Sequence, residues 1–384
     1  MDSKDLVASR SEWKAKAKEL GLENMSICDL KSAASASEMD YAQYLLTRSH
    51  TSKKNAKTLF DNPTRFIGKD YMEMAREKLD EWPAFQQYLT LFDYEPSQLL
   101  GNPFPDVGVF SLIRKWQIDT LAVDATGPAE LRRSNRASEA SAASADTPNP
   151  SKASKEDIRE RPSTPDDLLT GDFQDLQLSP YSPEQKRTSE DLKPIESEQI
   201  VVLATVSLLD ILVMSHQPEV EMSVAQAAFY LQKWGPKGTR ENVFEARIDG
   251  CLRTRAGKKI HVSLEAKKDA RDIGRNEVHF GIQEAGEIAC WVSNYPPENL
   301  GPDGEESRLL ISPNRHEIYL TFAKFGRAYV DYIQGRRLMS RTLEDPKSFL
   351  NMMVFGPFAV ARKEHMQAYC RLVLAFVFQC SSKK

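Results

Sequence analysis

The sequence is poor in the features that would place it in several protein classes at once. Cysteine occurs five times in 384 residues (Cys28, Cys251, Cys290, Cys370 and Cys380), with no Cys-x-x-Cys pair. That excludes a disulfide framework and a four-cysteine zinc site, and fits buried thiols in a reducing compartment. No apolar run reaches the roughly 20 residues that a bilayer span requires. The longest, Ile200 to Met214, covers 15 positions and contains Asp210. The N-terminus, Met-Asp-Ser-Lys-Asp-Leu, lacks the hydrophobic stretch of a secretory signal. Charge of one sign is not in excess either: 51 basic against 55 acidic residues leaves −4, which excludes a protein held to nucleic acid by bulk charge alone. No internal repeat is present. The expectation is a soluble intracellular protein, of the nucleus or cytoplasm, with no membrane partner.

Aromatic residues are nearly missing from one stretch. Between Asp124 and Lys193 only Phe173 and Tyr181 occur, among Ser, Ala, Pro, Asp, Glu and Lys. Such a segment buries too little surface to offset its ordering entropy, so residues 124–193 are expected to be a disordered linker. Its Thr164-Pro165, Ser179-Pro180 and Ser182-Pro183 steps are open to phosphorylation or serve only to keep the chain extended. The linker carries acidic charge: from Glu196 onward the count is 25 basic and 23 acidic residues, so the first 195 positions hold −6.

What is present falls on either side. Residues 1–123 are expected to be mainly helical. Ser11-Glu-Trp-Lys-Ala-Lys opens one helix, and Tyr71, Met74, Ala75 and Leu79 have helical spacing until Pro83. His50, among Arg48, Ser49 and Thr51, is expected to be exposed. Residues 194–384 are denser. Gln199 to Met214 is apolar nearly all round, as in a helix buried within a domain, with Glu196 and Glu198 favourably placed at its positive end. Two extended runs follow, Val243–Arg253 and Lys258–Lys268, around Ala256-Gly257. Helical spacing returns at Val278, Ile282, Ala285, Ala289 and Val292. A hairpin over Arg308–Phe325 and a helical C-terminus close the chain. This order predicts a mixed α/β layer fold.

The first hairpin carries the chemistry. Phe244, Ala246 and Ile248 alternate with Glu245, Arg247 and Asp249, and Ile260, Val262, Leu264 and Ala266 alternate with His261, Ser263, Glu265 and Lys267. Period-2 alternation segregates a core face from a polar one. A hairpin centred on Gly257 sets Asp249 opposite Glu265, with Lys267 one pleat away. Two convergent carboxylates are hard oxygen ligands for Mg²⁺ or Mn²⁺. A lysine beside them could orient or deprotonate water, or stabilise developing negative charge.

The pattern Asp249, then Glu265-Ala266-Lys267, across a hairpin flanked by helices, resembles the PD-(D/E)XK restriction-endonuclease-like nuclease superfamily. Phe244-Glu-Ala-Arg-Ile-Asp-Gly, Leu264-Glu-Ala-Lys and Ile282-Gln-Glu-Ala-Gly-Glu-Ile-Ala-Cys-Trp are similar to a fungal branch of it. The resemblance covers Glu196 to Lys384 and is silent on residues 1–195. It implies a restriction-endonuclease-like core, with Asp249, Glu265 and the carbonyl of Ala266 holding Mg²⁺ or Mn²⁺ and Lys267 as the catalytic lysine. Glu198 (with Glu196 close behind) would be the assisting acid of the preceding helix. Gln283, with Glu287 one turn on, would be the polar residues over the site, and Arg271 a phosphate contact. No proline precedes Asp249, where the family name has one.

At the hairpin tip, Arg253, Arg255, Lys258 and Lys259 are candidates for gripping a nucleic-acid backbone or are solvated turn charges. His261 is expected to be an outlying exposed residue, His316 to belong to a strand edge, and Trp234, Trp291, Tyr329 and Tyr332 to be core. The function this supports is a metal-dependent nuclease acting on nucleic acid, DNA foremost. The alternative is a nuclease fold without catalysis that binds nucleic acid or protein. A third reading makes residues 1–123 and the linker a regulatory or targeting arm. A homodimer is among the open oligomeric states.

Overall fold

The computed structural model describes residues 5–30, 35–100, 103–121, 198–225, 227–234, 239–271, 276–301, 303–336 and 345–382. The segment expected to be a linker, 124–193, lies outside these residues, as does Glu196.

Local capping starts the N-terminal helices. The Ser9 hydroxyl accepts the Glu12 N–H at 3.3 Å to open α1 (Arg10–Glu19), and Asp40 and Gln43 form a capping box on α2 (Tyr41–Leu46), satisfying donors that the first turn leaves unpaired. A strand, β1 (Ser49–Lys54), comes next. It is followed by α3 (Ala56–Asp61), α4 (Lys69–Asp80), α5 (Pro83–Thr90), α6 (Pro96–Leu100) and α7 (Val109–Leu121). Pro83 ends one helix and begins another, standing at the first position of α5, where its missing N–H has no intrahelical partner to lose. On α4 the buried face is Met72, Ala75 and Leu79, with Met74 turned to solvent.

Beyond the undescribed segment come α8 (Glu198–His216), β2 (Val220–Ser223), β3 (Ala227–Trp234), β4 (Arg240–Ile248), β5 (Gly250–Thr254) and β6 (Ile260–Leu264). Then follow α9 (Asn276–Asn294), β7 (Glu305–Asn314), β8 (Glu317–Gly326), α10 (Arg327–Ile333), β9 (Leu350–Ala359) and α11 (Lys363–Ser382). Seven strands form one mixed sheet in the order β1-β9-β8-β7-β6-β5-β2. The β1–β9 and β6–β7 pairs are parallel and the others antiparallel. The remaining two, β3 and β4, make a separate antiparallel ribbon.

Helices cover both faces of the sheet. Leu309 and Ile311 of β7 point into a core shared with α3, α4, α5, α7, α8 and α11. Leu310 between them points into a second core with α1, α2, α9, α10 and the ribbon. The fold is therefore α/β, a mixed sheet flanked by helices, and residues 5–121 contribute to both cores.

Four strands are not anticipated from the sequence: β1, β2, β3 and β9. β1 (Ser-His-Thr-Ser-Lys-Lys) has no apolar residue and is held by main-chain pairing to β9 at the sheet edge, where polar strands are common. β2 is only four residues long. β9 is buried on both faces, and such runs have no period to read. The run Val243–Arg253 is also not one strand: it breaks at Asp249, with β4 in the ribbon and β5 in the main sheet.

α8 is the one helix among the described residues long and apolar enough to cross a membrane by length and composition. Here it lies against the sheet, but it is not buried all round: Leu203 and Met214 stay exposed. His50 is half-buried on β1, its ring 6.0 Å from that of Phe349, because β1 is covered by α2 and the turn before β9.

Because β1, Trp13, Tyr44 and Leu59 complete the sheet and both cores, a chain truncated to residues 198–384 is expected not to fold by itself. Near-ultraviolet circular dichroism should show no fixed aromatic environment, and co-expression with residues 1–121 should restore it.

Candidate active site

The site forms where β6 leaves the sheet. Gly250 pairs with Leu264, and one more step of that register sets Asp249 level with Glu265, as the hairpin pattern predicts. The Asp249 N–H donates to the Leu264 carbonyl at 3.0 Å. Its carboxylate Oδ2 accepts the Ala266 N–H at 2.8 Å, which ties the β4–β5 break to the end of β6. Beyond Leu264 the chain continues beside β7. The Glu265 N–H reaches the Ile311 carbonyl at 3.1 Å, the Lys267 N–H reaches the Pro313 carbonyl at 2.9 Å, and the Lys267 carbonyl accepts the Arg315 N–H at 2.8 Å. Arg315 has φ 57° in the two-residue turn between β7 and β8, which aims its N–H at Lys267. Alternation along this strand turns Glu265 and Lys267 toward α9, and Ala266 toward the other core.

Two donors meet at one carboxylate oxygen. Glu265 Oε1 accepts from Lys267 Nζ at 2.5 Å and from Gln283 Nε2 at 2.5 Å, and Gln283 also donates to Glu287 Oε1 at 2.8 Å. Gln283 and Glu287 are buried on the inner face of α9 rather than solvated. The second oxygens, Glu265 Oε2 and Glu287 Oε2, are buried with no partner among the described residues. Glu198, on α8, comes from the opposite helical layer: its carboxylate takes a backbone hydrogen bond from Lys268 and feels both Lys267 and Asp249.

Burial sets the proton affinities. It pushes the Glu265 carboxyl up to about 7, against the pull of Lys267 and with the push of Asp249 and Glu198. Burial, reinforced by Glu265, also holds the Glu287 carboxyl well above the usual range, and burial raises Glu198. Burial alone would lower the proton affinity of Lys267, but Glu265 and Glu287 outweigh it and raise it above the ordinary lysine value.

The other expected site residues lie elsewhere. Arg271 is no free phosphate contact. It is buried, paired through both terminal nitrogens with Glu284 of α9, bonded to Asn314 Oδ1 at 3.1 Å and placed 4.7 Å from the Tyr319 ring centre. Ser312 Oγ completes the cluster, 2.7 Å from Glu284 Oε1. A guanidinium needs this pairing once desolvated. At the hairpin tip Arg253 Nε and Lys258 Nζ both hold Glu221 Oε1, at 2.9 and 2.8 Å, and Arg255 Nε donates to the Pro218 carbonyl at 2.7 Å. Arg253 is four residues from Asp249, roughly 13 Å along a strand. His261 is buried, not exposed, and burial lowers its pKa to about 4. His316 sits in the β7–β8 turn, its carbonyl accepting the Val360 N–H at 3.0 Å. Trp291, Tyr329 and Tyr332 are core as expected, whereas Trp234 is 41% exposed.

Among the described residues no group of three or more His, Cys, Asp or Glu side chains stands ready to hold a metal. The donors present still suit a hard cation that keeps several waters. Glu265 Oε2 is unpartnered, and Asp249 has one oxygen not used by Ala266. An extended residue turns its N–H and C=O to the same strand edge, so the Ala266 carbonyl faces the Asp249 side.

Glu265 titrates near 7 folded against 4.5 for an ordinary glutamate, so the folded chain holds the extra proton between these values. Its contribution to stability is present below 4.5 and lost as the pH rises through 7. Thermal melts of E265Q at pH 5 and pH 8 are expected to differ less than those of the wild type. K267M, which strands a buried carboxylate, should instead be destabilised more at pH 8 than at pH 5. Breaking the buried pair by R271L is expected to cost about 3–5 kcal/mol in denaturant unfolding. Compared with known proteins, the chain matches no family model, and no curated protein matches it.

Proposed function

We propose that the protein is a metal-dependent nuclease that hydrolyses phosphodiester bonds, in DNA first, on a restriction-endonuclease-like core. The observation that carries this reading is the meeting of Asp249, Glu265 and Lys267 at the end of β6, with Gln283 on Glu265 and Glu198 opposite. It joins two carboxylates to a cation across a strand that a one-residue slip would separate.

Asp249, Glu265 Oε2 and the Ala266 carbonyl would hold Mg²⁺ or Mn²⁺. When bound, the ion supplies an acidified water and charge neutralisation at the scissile phosphate. The protein's own groups act around it. Lys267, kept charged by the surrounding carboxylates, stabilises the negative charge that grows on the phosphate oxygens. Gln283 holds the Glu265 carboxylate in place by its bond to Oε1, leaving Oε2 open. Asp249 is oriented by the Ala266 N–H. Glu198 sets the charge on the α8 side of Lys267.

Plasmid and single-stranded DNA incubated with the protein should be cut with Mg²⁺ or Mn²⁺ and left intact with EDTA. D249A and K267A are expected to lower the rate at least 100-fold, a general loss for groups acting in the transition state. R253A and K258A, remote and bound to Glu221, should leave it within about twofold. Cleavage unaffected by D249A or K267A would overturn the assignment. Heat-free titration with Mn²⁺ on a folded chain would favour a non-catalytic binding module.

A further inference from the structure

Trp234 is the large aromatic that the fold leaves outside. It ends β3 and is 41% exposed, an uncommon state for tryptophan unless the surface is used. Two guanidinium groups lie over its ring, Arg240 from the start of β4, which also donates to Gln232 Oε1 at 3.4 Å, and Arg336 from beyond α10, each 5.3 Å from the ring centre. Arg336 is about a hundred residues away in sequence, so the convergence is tertiary rather than a property of the hairpin. Both arginines are exposed, and neither has a carboxylate partner among the described residues, while nearby Arg247 and Lys233 are engaged by Glu245 and Glu241.

The register extends this feature into a track. Phe229, Leu231, Phe244, Ala246 and Ile248 are buried beneath the ribbon. Its outward face carries the pairs Trp234–Arg240, Gln232–Asn242, Tyr230–Glu245 and Ala228–Arg247. Asp249 follows Ile248 directly. From Arg240 to Asp249 is nine residues, roughly 30 Å of strand. A part-exposed indole under two guanidiniums that have no carboxylate partner among the described residues matches the device by which proteins take unpaired bases: a π-face for stacking and cations for the adjoining phosphates.

We propose that the outward face of the β3–β4 ribbon is a platform for single-stranded nucleic acid, with an unpaired base on Trp234 and phosphates on Arg240 and Arg336, directing the strand toward Asp249. The direction of the strand rests on the nuclease reading; the platform does not.

The test is fluorescence anisotropy of the full chain in EDTA with labelled oligo-dT, oligo-U and a DNA duplex of equal length. One or both single strands should bind more tightly than the duplex, and their ratio tells DNA from RNA. W234A should weaken that binding about tenfold and W234F much less. R240Q/R336Q, which leaves the indole in place, should lower the slope of log K against log salt by about 1.4. Binding by W234A and R240Q/R336Q equal to wild type, tighter binding of duplex, or no single-strand binding would overturn the proposal. Should W234A lower the melting temperature, the double arginine variant decides alone. Single-strand binding through Trp234 without metal-dependent cleavage would sink the nuclease reading and keep the platform. Cleavage of single strands by W234A with unchanged KM would do the reverse.

Discussion

Much of this molecule is arranged around one buried carboxylate. Glu265 sits where β6 leaves the sheet, out of water, with Lys267 and Gln283 both on Oε1. A carboxylate in such a place is costly unless neutralised and hydrogen-bonded. Three elements supply what it needs. The strand itself brings Lys267 two residues on, α9 brings Gln283, and the β7–β8 turn fixes the backbone of Lys267 through Arg315. Even so, Oε2 is left without a partner. An apolar residue at this position would carry no such cost, and the buried carboxylate is the feature on which the proposed function rests.

A second buried ion pair lies beside the first. Arg271 and Glu284 lock α9 onto the strand end, and Glu284 is the neighbour of Gln283 on the same helix. Ser312 and Asn314 of β7 hold the two partners. The amide that bridges Glu265 and Glu287 is thereby positioned by a clamp one residue away rather than by its own bonds alone. Electrostatics and packing are coupled here: the helix carrying the site's hydrogen-bond donors is registered on the sheet by an ionic contact that water cannot reach.

How far the sequence revealed this depends on the kind of signal. Alternation over Ile260–Lys267 is a local property, and it correctly separated Val262 and Leu264 from Glu265 and Lys267. The register through Gly257 follows from hairpin geometry, so Asp249 and Glu265 could be paired before any fold was known. Gln283 came only with the family resemblance, and its burial was not legible at all. Arg271 shows the limit. A basic residue soon after Lys267 has the same letter whether it meets a phosphate or Glu284, and only the approach of α9 decides. The same holds at the hairpin tip, where Glu221 from β2 takes up Arg253 and Lys258.

The sequence by itself determined the polar and apolar faces of the hairpin, the helix breaks at Pro83 and the acid–lysine pattern, because each depends on neighbours within a few residues. The tertiary structure decided the rest. It drew the polar strand β1 into the sheet through main-chain bonds that carry no side-chain signature. It split one extended run at Asp249 into two sheets, and it left Trp234 outside beside an arginine from α10's far end. These outcomes hang on contacts between segments far apart in the chain, where burial and charge are settled only once all the layers are assembled.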